Sequence, residues 1–230
     1  MTDMIDTLDG TGSFAGYVAR PAGTPMAAIV VIQEIFGVNP GIRQKCDKLA
    51  DAGYLAVAPD LFWRIEPDIQ LDPDVPEQMQ RALGLIGQFD QDAAIRDIEA
   101  TIRFARAASG GAKVGCVGYC LGGRLAYMTA ARTDVDASVG YYPVGIPDLL
   151  REAQAIAHPL LLHVAGADHF VDAATQAAMH DGLDDHPKVA IIDYPGEDHG
   201  FATEVGTRRS PEAAERADAA TAAFFREHLA

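Results

Sequence analysis

The stretch Lys113-Val114-Gly115-Cys116-Val117-Gly118-Tyr119-Cys120-Leu121-Gly122-Gly123 decides how the rest of the chain is read. Lys113 to Tyr119 form an apolar run of the kind that fills a buried strand, and the glycines that follow open a helical pattern. A strand turning at once into a helix, with glycines two before and two after the central residue, is a nucleophile elbow. The turn forces that residue into a strained backbone conformation, and the glycines remove side chains that would collide across the bend. Here the central residue is Cys120, so the nucleophile is a thiol, and the helix N-terminus beneath it favours the thiolate. The bland alternative is a small apolar residue packed at a strand end, the usual condition of free cysteine.

Similar runs recur on both sides of this segment: Ala27 to Ile32, Tyr54 to Ala58, Ala137 to Tyr142, Leu160 to Val164 and Val189 to Tyr194. Continuous hydrophobicity, rather than alternation, predicts parallel strands covered on both faces. Ser13 to Arg20 is predicted as an antiparallel edge strand. Helical patterns lie between most runs, the clearest placing Ile95, Ile98, Ile102 and Ala105 on one stripe before Gly110 and Gly111 end it. Ser210, Pro211 and Glu212 read as cap, first residue and dipole complement of a final helix running to about His228. This alternation implies an α/β fold with a doubly wound, mostly parallel sheet and helices on both faces. The Pro- and Asp-rich stretch Glu66 to Pro76 reads as a surface loop, so residues 1–230 are expected to form a single domain.

The composition narrows the partners. With 33 acidic against 18 basic residues the net charge is −15, which repels phosphate backbones and anionic lipid and argues against nucleic acid. The first nineteen residues hold no Lys or Arg and no apolar run, so no secretory signal is expected. No stretch approaches the ~20 apolar residues of a membrane span. Three cysteines cannot all pair, and their spacing lacks the C-x-x-C groups of a structural zinc site. A reduced, cytoplasmic compartment is the simpler expectation, with neither metal nor cofactor; the oligomeric state is left open. Cys46, in a helix, and Cys116, within its strand, read as core residues.

A thiol nucleophile needs a base, and the base must be oriented. Asp168 and His199 each stand just after a predicted strand, where an open α/β sheet collects its catalytic groups. The order nucleophile, acid, histidine is that of the α/β-hydrolase triad. Asp172 competes with Asp168, and each has the alternative of capping a helix or a turn. His163, inside an apolar strand, and His158, before a proline, read as structural. Glu34 ends an apolar strand, where a carboxylate costs free energy unless paired; an ion pair with an arginine or a helix cap is its ordinary explanation.

Taken together, Gln33-Glu34-Ile35-Phe36-Gly37, Pro59-Asp60-Leu61-Phe62, the elbow segment 113–123, Gly140-Tyr141-Tyr142, Asp168-His169-Phe170-Val171 and His199-Gly200-Phe201 resemble the dienelactone hydrolase family, in order and over nearly the whole chain. The resemblance implies an α/β-hydrolase fold and a Cys-His-Asp triad of Cys120, His199 and Asp168 without a metal. It implies that Glu34 takes part in activating the thiol, that the amides of Leu121 and Ile35 form the oxyanion hole, and that the substrate is a small ester or lactone opened through an acyl-enzyme.

Two departures concern substrate. Where the family carries carboxylate-binding arginines, this chain has Met79 and Thr203. Arg81 lies about 200° round a helix from Met79 and cannot simply replace it, while Arg208 and Arg209 are near Thr203 only along the chain. Arg81 and Arg208 are the candidate substitutes. Without them a neutral or apolar ester is expected, with Trp63 and Tyr142 as candidate pocket residues. A general carboxylesterase or thioesterase on the same triad is the second reading, and a small-molecule binding protein without turnover is the third.

Overall fold

Continuous apolar runs fill the middle of a sheet because helices cover both of its faces. The computed structural model describes residues 1–230, with strands β1 (Thr2–Asp6), β2 (Ser13–Ala19), β3 (Ala28–Ile32), β4 (Leu55–Pro59), β5 (Val114–Tyr119), β6 (Ala137–Tyr141), β7 (Leu160–Ala165) and β8 (Val189–Tyr194). The helices are α1 (Pro40–Asp51), α2 (Pro76–Ile86), α3 (Gln91–Ala108), α4 (Leu121–Arg132), α5 (Ala173–Leu183) and α6 (Pro211–Leu229), with a 3-10 segment at Ile146–Ala155. All eight strands join one sheet in the order β1-β2-β4-β3-β5-β6-β7-β8. From β4 to β8 every pairing is parallel, whereas β1–β2 and β2–β4 are antiparallel. This is the mostly parallel, doubly wound sheet of the α/β-hydrolase fold.

The expected edge strand is present and antiparallel, but it is not the edge: β1 pairs outside it from Thr2 with Tyr17 to Asp6 with Ser13. Only Ile5 of β1 is buried, so its acidic sequence carries almost no apolar signal. The loop at Glu66 to Pro76 is also more than surface. Its Ile69 and Leu71 are buried in a small apolar cluster with Phe36, Phe62, Ala82 and Leu85, which fastens the segment beneath α2.

One face of the sheet packs on α3, α4, α5 and the 3-10 segment; the other packs on α1 and α6. The α3 stripe of Ile95, Ile98, Ile102 and Ala105 is buried as its spacing predicts. Asn39 caps α1 by accepting from the Ile42 amide, with Pro40 in the first helical turn. Ser210 occupies the cap position of α6, but its hydroxyl makes no capping bond.

Winding reverses between β3 and β5. The chain leaves β3 toward β4 on one side and β5 toward β6, β7 and β8 on the other, which opens a crevice at their carboxyl ends. Glu34 follows β3 and Cys120 follows β5, so this crevice holds both.

His163 in β7 bears no relation to that crevice. It is fully buried, with Nδ1 2.9 Å from the Tyr194 hydroxyl and Nε2 2.9 Å from Thr221 Oγ1. Burial, reinforced by the Lys45 charge, pushes it down from 6.5 to about 3. Native His163 is therefore neutral where the unfolded chain takes a proton. Its contribution to stability is complete above pH 6.5 and drains away as pH falls toward 3, amounting to about 2 kcal/mol lost by pH 5. Urea midpoints of the wild type should fall more steeply between pH 7 and 5 than those of His163→Gln; parallel curves would contradict this account.

Candidate active site

The elbow is held together by contacts that only glycine permits. A Cβ at Gly118 would collide with the Gly122 carbonyl oxygen, one at Gly122 with the Ile32 carbonyl oxygen, and one at Gly123 would come within 2.6 Å of the Tyr141 oxygen. The turn between β5 and α4 therefore sits directly against the end of β3. Cys120 at its apex has φ 58° and ψ −114°, a region that side chains rarely adopt, and its amide donates to the Tyr141 carbonyl at 3.1 Å. The side chain is half-buried at the start of α4.

Opposite it, His199 Nδ1 lies 2.8 Å from Asp168 Oδ2, both side chains 1% exposed. The other Asp168 oxygen accepts the Phe170 amide at 2.8 Å, so the carboxylate is fixed from its own turn. Asp172, by contrast, is exposed and caps α5 by accepting from the Thr175 amide at 2.8 Å. The imidazole is wedged between Tyr142, with ring centroids 4.9 Å apart, and Phe170 at 4.8 Å. Its Nε2 is buried and makes no hydrogen bond. Burial alone would lower the pKa of His199, but the Asp168 hydrogen bond and the neighbouring Cys120 sulfur outweigh it and raise His199 from 6.5 to about 10.

Glu34 is 5% exposed. Burial pushes its carboxyl up, opposed by the charges of Arg208, His199 and Lys45 and by the nearby Tyr142 hydroxyl, which is itself buried without a hydrogen bond. Glu34, Cys120, His199 and Arg208 open together into a cavity of about 300 Å³. Met79, Leu83 and Ile86 of α2 form one wall of it, and Phe36, Val144 and Phe170 line it from the loops. The Ile35 amide, also at the cavity, donates to no acceptor, and Leu121 is the first residue of α4, so neither amide is used by a helix.

Arg208 is the candidate substitute that reaches the cavity. Its guanidinium passes over Gly200, stands 5.6 Å from the centre of the Phe36 ring and leaves a buried Nη2 without a partner. Three other candidates stand elsewhere. Arg81 points outward to Glu66 at 2.5 Å, half-exposed on the face of α2 opposite Met79. Trp63 donates from Nε1 to Asp97 at 2.8 Å and stacks on Phe14, locked into the packing of α3. Tyr142 is fully buried behind His199 rather than lining the cavity. The α2 wall went unread in the sequence, although Met79, Leu83 and Ile86 at spacings of four and three are one helical stripe. Cys46 and Cys116 are both buried away from the cavity, Cys116 donating to Ser138 Oγ at 3.3 Å. No helix is long and apolar enough to cross a membrane.

A sheet wound this way, with a strained residue between β5 and α4 facing a histidine–carboxylate pair, defines an α/β hydrolase. A sequence model of the dienelactone hydrolase family matches residues 14–229, and the chain belongs to that family. It is 45% identical to a candidate carboxymethylenebutenolidase of Azospirillum brasilense, with both chains covered in full. It is 42% identical to a carboxymethylenebutenolidase of Pseudomonas putida, over 86% of this chain and 84% of the other. The crystal structure of a candidate dienelactone hydrolase from Klebsiella pneumoniae superposes with a TM-score of 0.84 at 26% identity, covering 99% and 98% of the two chains. The protein is a hydrolase of carboxylic ester bonds.

Proposed function

We propose that this hydrolase opens a small ester or enol lactone by nucleophilic attack of Cys120, with His199 as base and Asp168 holding the imidazole. The observation that carries the reading is the convergence of Cys120, the His199–Asp168 pair and Glu34 on one cavity. Asp168 on Nδ1 points Nε2 toward the cavity; with its pKa raised to about 10, His199 is the imidazolium partner of the Cys120 thiolate at rest, and Nε2 becomes the base once that proton has been passed on. The Cys120 thiolate attacks the carbonyl carbon and the carbonyl π pair moves onto oxygen, where the Leu121 and Ile35 amides receive it. Collapse of that intermediate breaks the carbonyl carbon–ring oxygen bond, the departing enolate takes the Nε2 proton of His199, and a thioester with a neutral imidazole is left. Water, deprotonated by His199, then attacks the thioester and regenerates the thiolate. An enol lactone expels an enolate, a better leaving group than an alkoxide, so it needs little acid assistance. Glu34 stands close enough to His199 to exchange influence with it, which suits a role in charging the thiol when substrate enters.

The buried, unpartnered Nη2 of Arg208 supports a substrate that carries its own carboxylate. A donor left unsatisfied in a buried pocket has a cost, and an anion would remove it. Arg208→Ala should raise KM for a carboxylated lactone about 10- to 100-fold, the worth of one charge-assisted contact. The apolar α2 wall favours a second reading, a general carboxylesterase that prefers neutral acyl groups. Ultraviolet time courses of a dienelactone and of p-nitrophenyl acetate separate the two. Mass spectrometry of acid-quenched protein should show one acyl group on Cys120, and its absence during turnover would defeat the covalent route. A cytoplasmic setting, in which all three cysteines stay free, belongs to the same reading.

A further inference from the structure

We infer that Lys45 and Glu204 form a positioning pair that sets where Arg208 stands, and so tune this hydrolase toward anionic substrates. The inference rests on the reading of Arg208 given above. Lys45 on α1 and Glu204 in the loop between His199 and α6 are 8% and 4% exposed at their side chains, with Nζ 2.9 Å from Oε1. Lys48 Nζ reaches the same oxygen at 2.7 Å and Arg209 at 3.4 Å, while Lys45 is also shared with Asp218 of α6 at 3.1 Å. Five charged groups thus meet behind the cavity. Burial would push the Glu204 carboxyl up, yet Lys45 and Lys48 hold it below its ordinary value, so the carboxylate is charged.

Only the central Lys45–Glu204 pair is buried, and a buried ion pair is a poor way to gain stability, because desolvation cancels much of the attraction. It is a good way to fix one segment against another. The loop it grips is closed on itself by the Ser210 amide donating to Phe201 at 2.9 Å and by Arg209 donating to the Thr203 carbonyl at 3.0 Å. It touches α1 closely enough that a Cβ on Gly41 would come within 3.0 Å of Val205. Glu204 is the side chain that ties this closed loop to α1 by charge, four residues before Arg208. A small internal void lined by Glu34, Lys45, Thr203 and Glu204 makes the cluster the immediate backing of the active-site carboxylate. Moving the loop outward would carry the guanidinium off Phe36 and away from the cavity, while Cys120 stays at the end of β5 and His199, at the root of the loop, stays tied to Asp168.

The test compares KM and kcat for a carboxylated dienelactone and for p-nitrophenyl acetate in Glu204→Gln, Lys45→Met, Lys45→Arg, Arg208→Ala and the double variant Glu204→Gln/Arg208→Ala. Glu204→Gln and Lys45→Met should each raise KM for the carboxylated lactone about tenfold with kcat little changed, and shift the KM ratio between the two substrates by the same factor. Lys45→Arg should restore most of that ratio, and in the Arg208→Ala background Glu204→Gln should add nothing to it. Equal losses on both substrates, or an additive effect in the double variant, would mean a structural role and overturn the inference. A ratio that responds to Arg208→Ala but to neither cluster variant would overturn it while leaving the Arg208 reading intact. A ratio indifferent to Arg208→Ala removes both. Should Glu204→Gln fail to fold, Lys45→Met and Lys45→Arg carry the same comparison.

Discussion

Cys120→Ala is expected to lower kcat/KM toward every ester substrate by at least about 10⁴-fold while leaving the fold intact. On the proposed mechanism the amides of Leu121 and Ile35 and the cavity walls remain in the variant, so it would still bind substrate and polarise the carbonyl. What it would lose is the proposed covalent route, in which a thioester divides one difficult displacement into two easier ones. The cost to stability is small, because the side chain is only half-buried and alanine carries the same Cβ into the same strained turn. Steady-state rates together with a thermal melt are sufficient to check this. A variant that melts normally and still turns over p-nitrophenyl acetate at the wild-type rate would remove Cys120 from the mechanism.

Asp168→Asn should cost about 10³- to 10⁴-fold in kcat/KM, for a reason of geometry rather than of packing. The amide has the volume of the carboxylate and can still accept the Phe170 amide proton. Facing His199 Nδ1 with an NH₂ group, however, it turns that nitrogen into an acceptor and moves the proton of the neutral imidazole to Nε2, the position the proposed mechanism needs free when His199 acts as base. The second consequence concerns His199 itself. Its pKa is raised to about 10 against the pull of burial, and the Asp168 hydrogen bond is the foremost cause that raises it, so the substitution must bring it down. Nitrogen NMR of the imidazole reads both effects, as a change of tautomer and a lower titration midpoint. An unchanged Nδ1–H tautomer with full activity would show that Asp168 does not orient the ring.

The line between what the sequence disclosed and what it hid follows the range of the interactions. The elbow was readable because its requirements are local: Gly118, Gly122 and Gly123 are needed for backbone approaches around a single turn, and the pattern stays within six residues. The parallel strands were readable because each is covered on both faces and must be apolar throughout. β1 was not, since it pairs through its backbone and buries only Ile5. The cavity wall was harder still, because it is assembled from α2, the ends of β3 and β5, and the loops after β6, β7 and β8. Sequence distance says nothing about which arginine reaches such a place. Arg81 follows Met79 by two residues yet lies on the opposite face of α2, as the helical angle implied. Arg208, five residues beyond the position where an arginine was expected, turns back over Gly200 into the cavity. Trp63 looked like a pocket aromatic because it follows a motif segment, but Asp97 and Phe14 hold it among the packed helices.

The α2 stripe has a consequence for how this enzyme can diversify. Met79, Leu83 and Ile86 meet the cavity from a helix outside the sheet, whereas Glu34, Cys120 and His199 stand at or beyond the ends of strands. On the proposed mechanism the part that would contact the variable portion of a ligand is therefore separate from the part where bonds would change. Mutational drift, or a laboratory library confined to three codons, can exchange one acyl preference for another without disturbing the alignment of the reacting atoms. Retuning and inactivation are governed by different stretches of the gene, and that separation leaves room for a single scaffold to serve many ester substrates.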